Sequence, residues 1–373
     1  MKKKILILLT LLLAMTACSS KNEDPEYGRY SNTSITSGFD TTMTLLAYTE
    51  SEEAFNTYFE MLKDTFWAYH IQFDIYNKYE GVNNLKTIND NAGIEPVEVD
   101  DVIIELLLEA KKYTEISDYF DITFGAVFKV WHNYREKGIE LNSQGELGPV
   151  PTIEELEAAA QYVGWEYIEI NEDNNTVFIT KEGVSLDVGA IAKGYATEMV
   201  ARKLEAAGLK YAIVSGGGNI RTIGKKVDQP WLIGIQEPSL AVDTPSVEVF
   251  SLETSTSVVT SGDYQRTYTG TDNITYSHLI NPNTLFPQTH FRSVSVITEN
   301  STLADILSTS LFMMNYEEGQ KFVEDYNNKY PENRIDVVWI VDENPDWYQK
   351  GDFDYMVTDD LIEISKYINE GSN

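Results

Sequence analysis

The stretch Ala304-Asp305-Ile306-Leu307-Ser308-Thr309 carries the most specific chemistry in the sequence. Its surroundings predict a helix from Thr302 to Asn315, on which Asp305 and Thr309 stand at i and i+4, one turn apart on one face. A carboxylate and a hydroxyl so placed present two oxygen ligands in the same direction. That suits Mg²⁺, which takes a carboxylate or two together with waters and substrate phosphates. Plain helix chemistry is the alternative: Thr302 with Asp305 spells a capping box, and Thr309 can bond back to the Asp305 carbonyl.

A second constellation runs from Ser185 to Ile220, SLDVGAIAKGYATEMVARKLEAAGLKYAIVSGGGNI. It reads as a strand closed by Asp187, a turn at Gly189, a helix from about Ala190 to Ala207 stopped by Gly208, a strand from Lys210 to Val214, and a triple glycine. Lys193 falls in the first turn of that helix, where the macrodipole disfavours a cation. The lysine makes sense if an anion also sits there, since helix N-termini bind phosphate. Pairing with Asp187, or pointing to water, is the alternative. The third is His278-Leu279-Ile280-Asn281-Pro282-Asn283-Thr284, with His278 and Ile280 on one face of a strand that an Asn-Pro turn ends. Such a histidine can act as a general base or donate to phosphate, or else cap the surface. Thr260 to Arg266, TSGDYQR, reads as a polar turn entering a strand. Its arginine suits a phosphate or carboxylate clamp, with pairing to a nearby acid as the competing role. P-loop, GxGxxG and GxSxG motifs are all absent.

Composition narrows the chemistry further. The net charge of -31 argues against nucleic acid, whose backbone needs a basic face, and against docking on anionic lipid. The four histidines, His70, His132, His278 and His290, are scattered, so a metal would be a hard cation held by oxygen rather than zinc or iron. Cys18 is the only cysteine, which excludes a disulfide framework and a thiol catalyst.

The elements that must position these residues follow from patterning. Residues 1–18, MKKKILILLTLLLAMTAC, read as a signal segment with a lysine n-region and an apolar h-region. Its end at Met15-Thr16-Ala17-Cys18 resembles a bacterial lipoprotein box in which Cys18 is lipidated. Residues 19–36 are polar and unpatterned, as in a flexible tether. Phe39 to Tyr48 predicts the first strand and Ser51 to Ile71 an amphipathic helix. Further helices are expected at Val99–Thr114, at a short segment ending near Trp131, and from Thr152 to Val163 behind a Thr152/Glu155 capping box. Glu166–Ile170 and Thr176–Lys181 predict a hairpin. Strands are expected at Trp231–Gln236, Glu248–Leu252, Tyr264–Thr269, Ile274–Ile280, Ser293–Thr298 and Val337–Val341. Tyr355–Thr358 and Leu361–Ile364 are expected to pair, and Glu317–Tyr326 to be helical. Strands and helices mix without strict βα alternation. The expectation is an α+β fold of mixed sheets and flanking helices over residues 37–373, one large compact domain or two interlocked lobes.

Taken in order, FDIT at Phe120–Thr123, DVGAIAKGYA at Asp187–Ala196, SGGGNI at Ser215–Ile220, HLINPNT at His278–Thr284 and ADILST at Ala304–Thr309 resemble the ApbE family of FAD:protein FMN transferases. TSGDYQR at Thr260–Arg266 fits as well. The likeness covers nearly the whole chain after Cys18. Leu285 departs from the pattern, which has glycine after the threonine, and this bears on the turn more than on the chemistry. The resemblance implies a T-fold-related domain that moves FMN from FAD to a Thr or Ser hydroxyl of a target protein, releasing AMP. It makes the Ala190 carbonyl, Asp305 and Thr309 the Mg²⁺ ligands. Phe39, Tyr76, Tyr119, Phe120, Asp121, Asp187, Lys193 and Ile280 would surround FAD, and His278 would handle the proton. The chain contains no Ser/Thr-Gly-Ala-Thr acceptor segment, so the target is expected to be a separate extracytoplasmic protein, with the enzyme lipid-anchored to the cell membrane on that side. Two readings compete: a hydrolase cleaving FAD to FMN and AMP at the same site, and a lipid-anchored flavin-binding protein without chemistry.

Overall fold

The computed structural model describes residues 27–241 and 244–371. Cys18, the expected signal segment and the first part of the expected tether lie outside them. The rest of the tether expectation is corrected: β1 (Gly28–Ser34) pairs antiparallel with β2 (Met43–Thr49), in register from Gly28↔Thr49 to Ser34↔Met43. Its side chains are mostly exposed, so the polar sequence conceals an edge strand held by its ladder rather than by burial.

Helix α1 (Glu52–Phe73) starts at Ser51, whose hydroxyl accepts from the Ala54 N–H, and it buries Phe55, Phe59, Leu62 and Phe66 along one stripe. After α2 (Leu85–Asp90), β3 (Val97–Glu98) and α3 (Asp101–Thr114) comes α4 (Gly125–Ser143), which runs well past Trp131. Gly138 explains the extension. A Cβ there would lie 2.2 Å from the Tyr268 ring, so packing rather than amphipathic pattern carries the helix on. Helix α5 (Ile153–Ala160) opens on the expected capping box, and β4 (Ile168–Asn171) with β5 (Thr176–Ile179) forms the expected hairpin, joined by β3.

Helix α6 (Ala192–Ala206) ends before Gly208, whose φ of 104° only glycine adopts freely. The triple glycine then turns β6 (Ala212–Gly216) into β7 (Asn219–Ile223), with Gly217 and Gly218 supplying the two positive-φ positions of a tight hairpin. A long hairpin of β8 (Trp231–Gln236) and β9 (Ser246–Leu252) follows. Ser257–Gly262, which contains the start of the expected polar turn, is a sheet strand, β10. The longer strands expected at Tyr264–Thr269 and Ile274–Ile280 shrink to β11 (Tyr268–Thr269) and β12 (Thr275–Tyr276), which leaves His278 in a loop. The remaining elements are β13 (Ser293–Thr298), α7 (Ser301–Met313), α8 (Tyr316–Lys329), β14 (Asp336–Val341), β15 (Tyr348–Lys350), β16 (Phe353–Val357), α9 (Asp359–Ile362) and α10 (Tyr367–Glu370). Leu361–Ile364 is therefore no partner strand; β16 pairs with β14 and β15 instead.

The fold is an α+β domain around a nine-stranded sheet of order β1-β2-β6-β7-β10-β13-β14-β16-β15, every adjacent pair antiparallel. Alternation along each strand divides the core between its faces. Met43, Leu45, Val214, Val294, Val296 and Trp339 point to the helical side, where α1, α6 and α7 lie. Val258, Ile297, Val338 and Ile340 point to the other side, covered by the β8–β9 hairpin and the C-terminal helices. Helix α7 is central. Of its residues only Thr309 is not buried, although six of the thirteen are polar, so polar side chains are enclosed on it along with the apolar ones.

Glu248 in β9 is fully buried and locks the C-terminal segment in place. Its carboxylate accepts from the N–H groups of Val249 (2.8 Å), Lys366 (3.1 Å), Tyr367 (2.7 Å) and Ile368 (3.1 Å) and from the Tyr355 hydroxyl (2.8 Å). Burial pushes its pKa up, but the bonds from Ser365, Tyr367, Val249 and Tyr355 outweigh burial and hold it below the usual carboxylate range. A depressed folded-state pKa stabilises the fold above the unfolded-state value and loses that contribution as pH falls through the folded one. Glu248→Gln is therefore expected to cost about 2–3 kcal/mol at neutral pH, because an amide cannot accept from all these donors. Urea unfolding checks it: the midpoint should fall, and the gap to the parent protein should close on acidification.

Candidate active site

The site is built where α6 crosses α7. The Gly194 N–H, in the first turn of α6, donates to Asp305 Oδ2 over 2.7 Å. Gly194 is required there, since a Cβ would lie 2.4 Å from the Asp305 Cβ and 2.5 Å from the Ser301 carbonyl oxygen. Below this crossing the buried Glu198 of α6 accepts from the Ser301 N–H (2.9 Å), from Arg221 Nε of β7 (3.1 Å) and from Arg202 Nε (2.8 Å). The first turn of α7 is thus bound through a carboxylate to α6 and to the sheet, which suits the positive end of its dipole.

The competing helix-chemistry readings of Asp305 and Thr309 do not describe this structure. Asn300, not Thr302, caps α7, accepting from the Leu303 N–H, while the Thr302 hydroxyl is buried without a partner. Ser308 rather than Thr309 bonds back to the Asp305 carbonyl. The Thr309 hydroxyl instead lies 3.0 Å from Ser261 Oγ of β10, which is also 2.9 Å from Ser308 Oγ. Asp305 is 4% exposed, and none of the ion pairs within 4 Å among the described residues includes it. Burial raises its pKa, opposed by the charge of Lys193, the Gly194 N–H and the nearby Asn219 amide. A buried carboxylate without a contacting cation, beside a reachable hydroxyl, fits a hard cation. Ala190 lies in the turn that opens α6, on the approach to Gly194. Among the described residues no group of three or more His, Cys, Asp or Glu side chains is poised for a metal, so an ion here would rely on one carboxylate and neutral oxygens.

A cationic basin adjoins this point. Lys193 pairs with no carboxylate among the described residues, Asp187 included; its field reaches both Asp305 and His278. The His278 loop is pinned to the end of α7, where the Met313 carbonyl accepts from Asn281 Nδ2 (3.4 Å) and Gln288 Nε2 (3.2 Å). His278 Nδ1 is buried and has no partner. Burial, then the charges of Arg266, Arg135 and Lys193, push its pKa down to about 3, against an opposing contact with the Gln265 backbone. The ring is neutral at physiological pH, with a bare acceptor nitrogen.

Arg135, on the unexpected part of α4, is the residue that sequence reasoning missed. Its Nη2 lies 3.0 Å from His132 Nδ1, and its nearest carboxylate contact is a long one of 3.9 Å to Glu136. His132 lies against Tyr76 with the rings tilted by 36° and their centroids 5.4 Å apart. Burial first, then the charge of Asp187, raises the Tyr76 pKa, with Arg135 and Arg266 opposing. Asp187, whose Oδ1 accepts from the Gly189 N–H at 2.8 Å, has its own pKa raised by burial, with that N–H, His132 and Arg135 opposing. Tyr76, Asp187, Lys193, His278 and Asp305 therefore share one electrostatic neighbourhood.

The other expected contacts sit at its margins. Phe39 packs against two core clusters. Tyr119 donates to Glu318 (2.7 Å), Phe120 is buried, and Asp121 Oδ1 accepts from the Thr123 N–H and hydroxyl, each at 2.8 Å. That turn reaches the site through the backbone, where the Asp187 N–H donates to the Ile122 carbonyl at 2.8 Å. Ile280 is buried and bridges to Pro287. Leu285 takes φ 65°, the left-handed conformation for which glycine is suited, while its carbonyl accepts from Trp131 Nε1 at 2.8 Å.

The chain matches the ApbE family over residues 39–331. It is 31% identical over 271 residues to the FAD:protein FMN transferase of Vibrio cholerae serotype O1, spanning 72% of this chain and 75% of that one. It is likewise 31% identical over 258 residues to the protein of the same description from Treponema pallidum, covering 65% of this chain and 68% of the relative. The crystal structure of the ApbE protein from Thermotoga maritima superposes with a TM-score of 0.69 at 28% identity, over 84% of this chain and 94% of that one. The fold and the family match agree, and the chain belongs to the ApbE family.

Proposed function

We propose that this chain catalyses the reaction for which its curated relatives are named, transfer of FMN from FAD to a protein, with a Thr or Ser hydroxyl of a separate polypeptide as acceptor. The observation that carries the reading is the 2.7 Å bond from Gly194 to Asp305, which brings a buried carboxylate to the N-terminal turn of α6 beside Lys193. Asp305, Thr309 and the Ala190 carbonyl would hold Mg²⁺, which when bound neutralises charge on a diphosphate. Lys193, Arg135 and Arg266 would take the remaining phosphate charge, while Tyr76, Phe39 and the turn around Asp121 and Asp187 would border the flavin half.

In the reaction the acceptor hydroxyl oxygen attacks the phosphorus on the FMN side of the diphosphate. The new P–O bond forms, the bond from that phosphorus to the bridging oxygen breaks, and AMP leaves with the bridging oxygen. The hydroxyl proton goes to His278 Nδ1. In the free protein that nitrogen is a poor base, held down by burial and three cations. A bound diphosphate would neutralise those cations and raise its basicity, so the base becomes effective only once substrate is in place.

The N-terminal segment belongs to the same proposal: lipidation at Cys18 would hold the enzyme on the extracytoplasmic face of the membrane, where its acceptor would lie.

Three outcomes are expected. Asp305→Ala should lower flavin transfer by about a thousandfold, read as covalent flavin fluorescence on an acceptor domain supplied with FAD and Mg²⁺. AMP release at full rate with no labelled acceptor would point to hydrolysis instead. The acid limb of the kcat profile, which reports the substrate-bound enzyme, should lie at higher pH than that of kcat/KM, and both should vanish in His278→Ala. Coincident limbs that survive the substitution would remove His278 as the base. Cys18→Ser should shift the protein from the membrane to the soluble fraction, and continued membrane association would count against the anchor.

A further inference from the structure

Gly38, Phe39 and Asp40 have φ of 97°, 55° and 50°, three successive left-handed residues of which two carry side chains that disfavour it. Such a segment persists only where its surroundings hold it, and here the holder is His70 of α1. The Phe39 N–H donates to His70 Nδ1 at 3.1 Å, and the two rings meet at 60° with centroids 5.5 Å apart. Gly38 lies so close that a Cβ would come 2.4 Å from the His70 Cβ.

The other ring nitrogen connects elsewhere. His70 Nε2 is 3.1 Å from the Tyr79 hydroxyl, which donates to Asp74 Oδ2 at 2.8 Å. Asp74 Oδ1 accepts from the Tyr76 N–H at 2.6 Å and the Asn77 N–H at 3.0 Å. One chain of bonds thus runs from Phe39 through His70, Tyr79 and Asp74 to Tyr76. Its polarity fixes the proton. Tyr79 has a single proton and gives it to Asp74, so toward His70 it can only accept, and Nε2 must carry hydrogen. Nδ1 must be bare to receive the Phe39 N–H. All the bonds are made only with the neutral Nε2–H imidazole; a proton on Nδ1 would set two N–H groups against each other.

We propose that His70 is a positioning residue that holds the Phe39 loop and the Tyr76 loop in their flavin-facing arrangement only while its ring is neutral, so that FAD affinity falls on acidification. This rests on the reading that Phe39 and Tyr76 border FAD. The groups facing the ring are Asp74 at the end of α1, Tyr79, Trp67 one turn back with its ring centroid 5.2 Å away, and Asp40 on the loop, whose charge reaches Tyr79. Burial raises the Asp74 pKa, but its bonds from Tyr76, Asn77 and Tyr79 outweigh this and keep it ionised. Burial first, then Asp74, pushes Tyr79 up to about 12, so Tyr79 keeps its proton and remains the donor to Asp74.

The test is the Kd of FAD for the mature chain with Mg²⁺ and no acceptor, read by flavin fluorescence between about pH 5 and 8, where an imidazole changes charge. The parent protein should weaken about tenfold toward pH 5, the scale of one lost hydrogen bond. His70→Asn keeps an acceptor for Phe39 in place of Nδ1 and carries no ionisable group, so it should bind with nearly constant affinity. His70→Ala should bind weakly throughout. A flat profile in the parent, or an unchanged slope in His70→Asn, overturns the proposal, the latter by placing the pH dependence outside His70. Failure of the parent to bind FAD at any pH overturns the functional reading itself, and this inference with it.

Discussion

The close approach of α6 and α7 is the constraint on which the site depends. Two helices can cross this tightly only where one contributes no side chain, and Gly194 is that position. The absent Cβ does two things: it lets the Gly194 N–H reach Asp305, and it lets Glu198 reach the Ser301 N–H. The carboxylate of α7 and the lysine of α6 are then fixed relative to one another by backbone, not by a flexible ion pair. Glu198 with Arg221 ties the same crossing to β7, and Ser261 ties it to β10. Asp305, Thr309 and Lys193 therefore sit on packed helices, while His278, Phe39, Tyr76, Arg266 and the turns at Asp121 and Asp187 come from loops.

Charge is distributed with the same logic. In a chain of net charge -31, most arginines and lysines would be expected to find an acid. Arg292 and Arg334 do so. Arg135 has only a long contact, and Arg266 and Lys193 have none within 4 Å among the described residues, yet all three act on the same histidine. Their shared action on one buried histidine is the observation behind the proposal that they receive phosphate charge.

Much of this is legible in the sequence, for identifiable reasons. The Asp305/Thr309 step can be read because a helix converts spacing directly into direction. Ser293–Thr298 and the Thr152/Glu155 cap can be read because alternation and capping are local. Arg135 cannot, because its place depends on Gly138 packing against Tyr268, a contact between distant segments. Strand β1 is hidden for a related reason: an edge strand with exposed side chains has no hydrophobic signature. The strand expected through His278 fails because Leu279 and Ile280 are buried in two separate core clusters, so apolar residues there signal packing and not a ladder. The family motifs supply Asp187, Lys193, Ser261, His278, Asp305 and Thr309, while the bonds that Glu198 and His70 make to Ser301 and Phe39 are three-dimensional facts.

The buried carboxylate of Glu248 has a consequence for how the molecule comes into being. It lies in the middle of the chain, yet its charge is satisfied by amides as late as Ile368. Until residue 368 has been made and brought into place, the β8–β9 hairpin carries an ion that it cannot bury without a large penalty. Any process that handles the polypeptide from its amino end, whether synthesis on the ribosome or threading across a bilayer, meets it before that half of the core can close. Closure of that half of the core is thus deferred until residues 366–368 are in place.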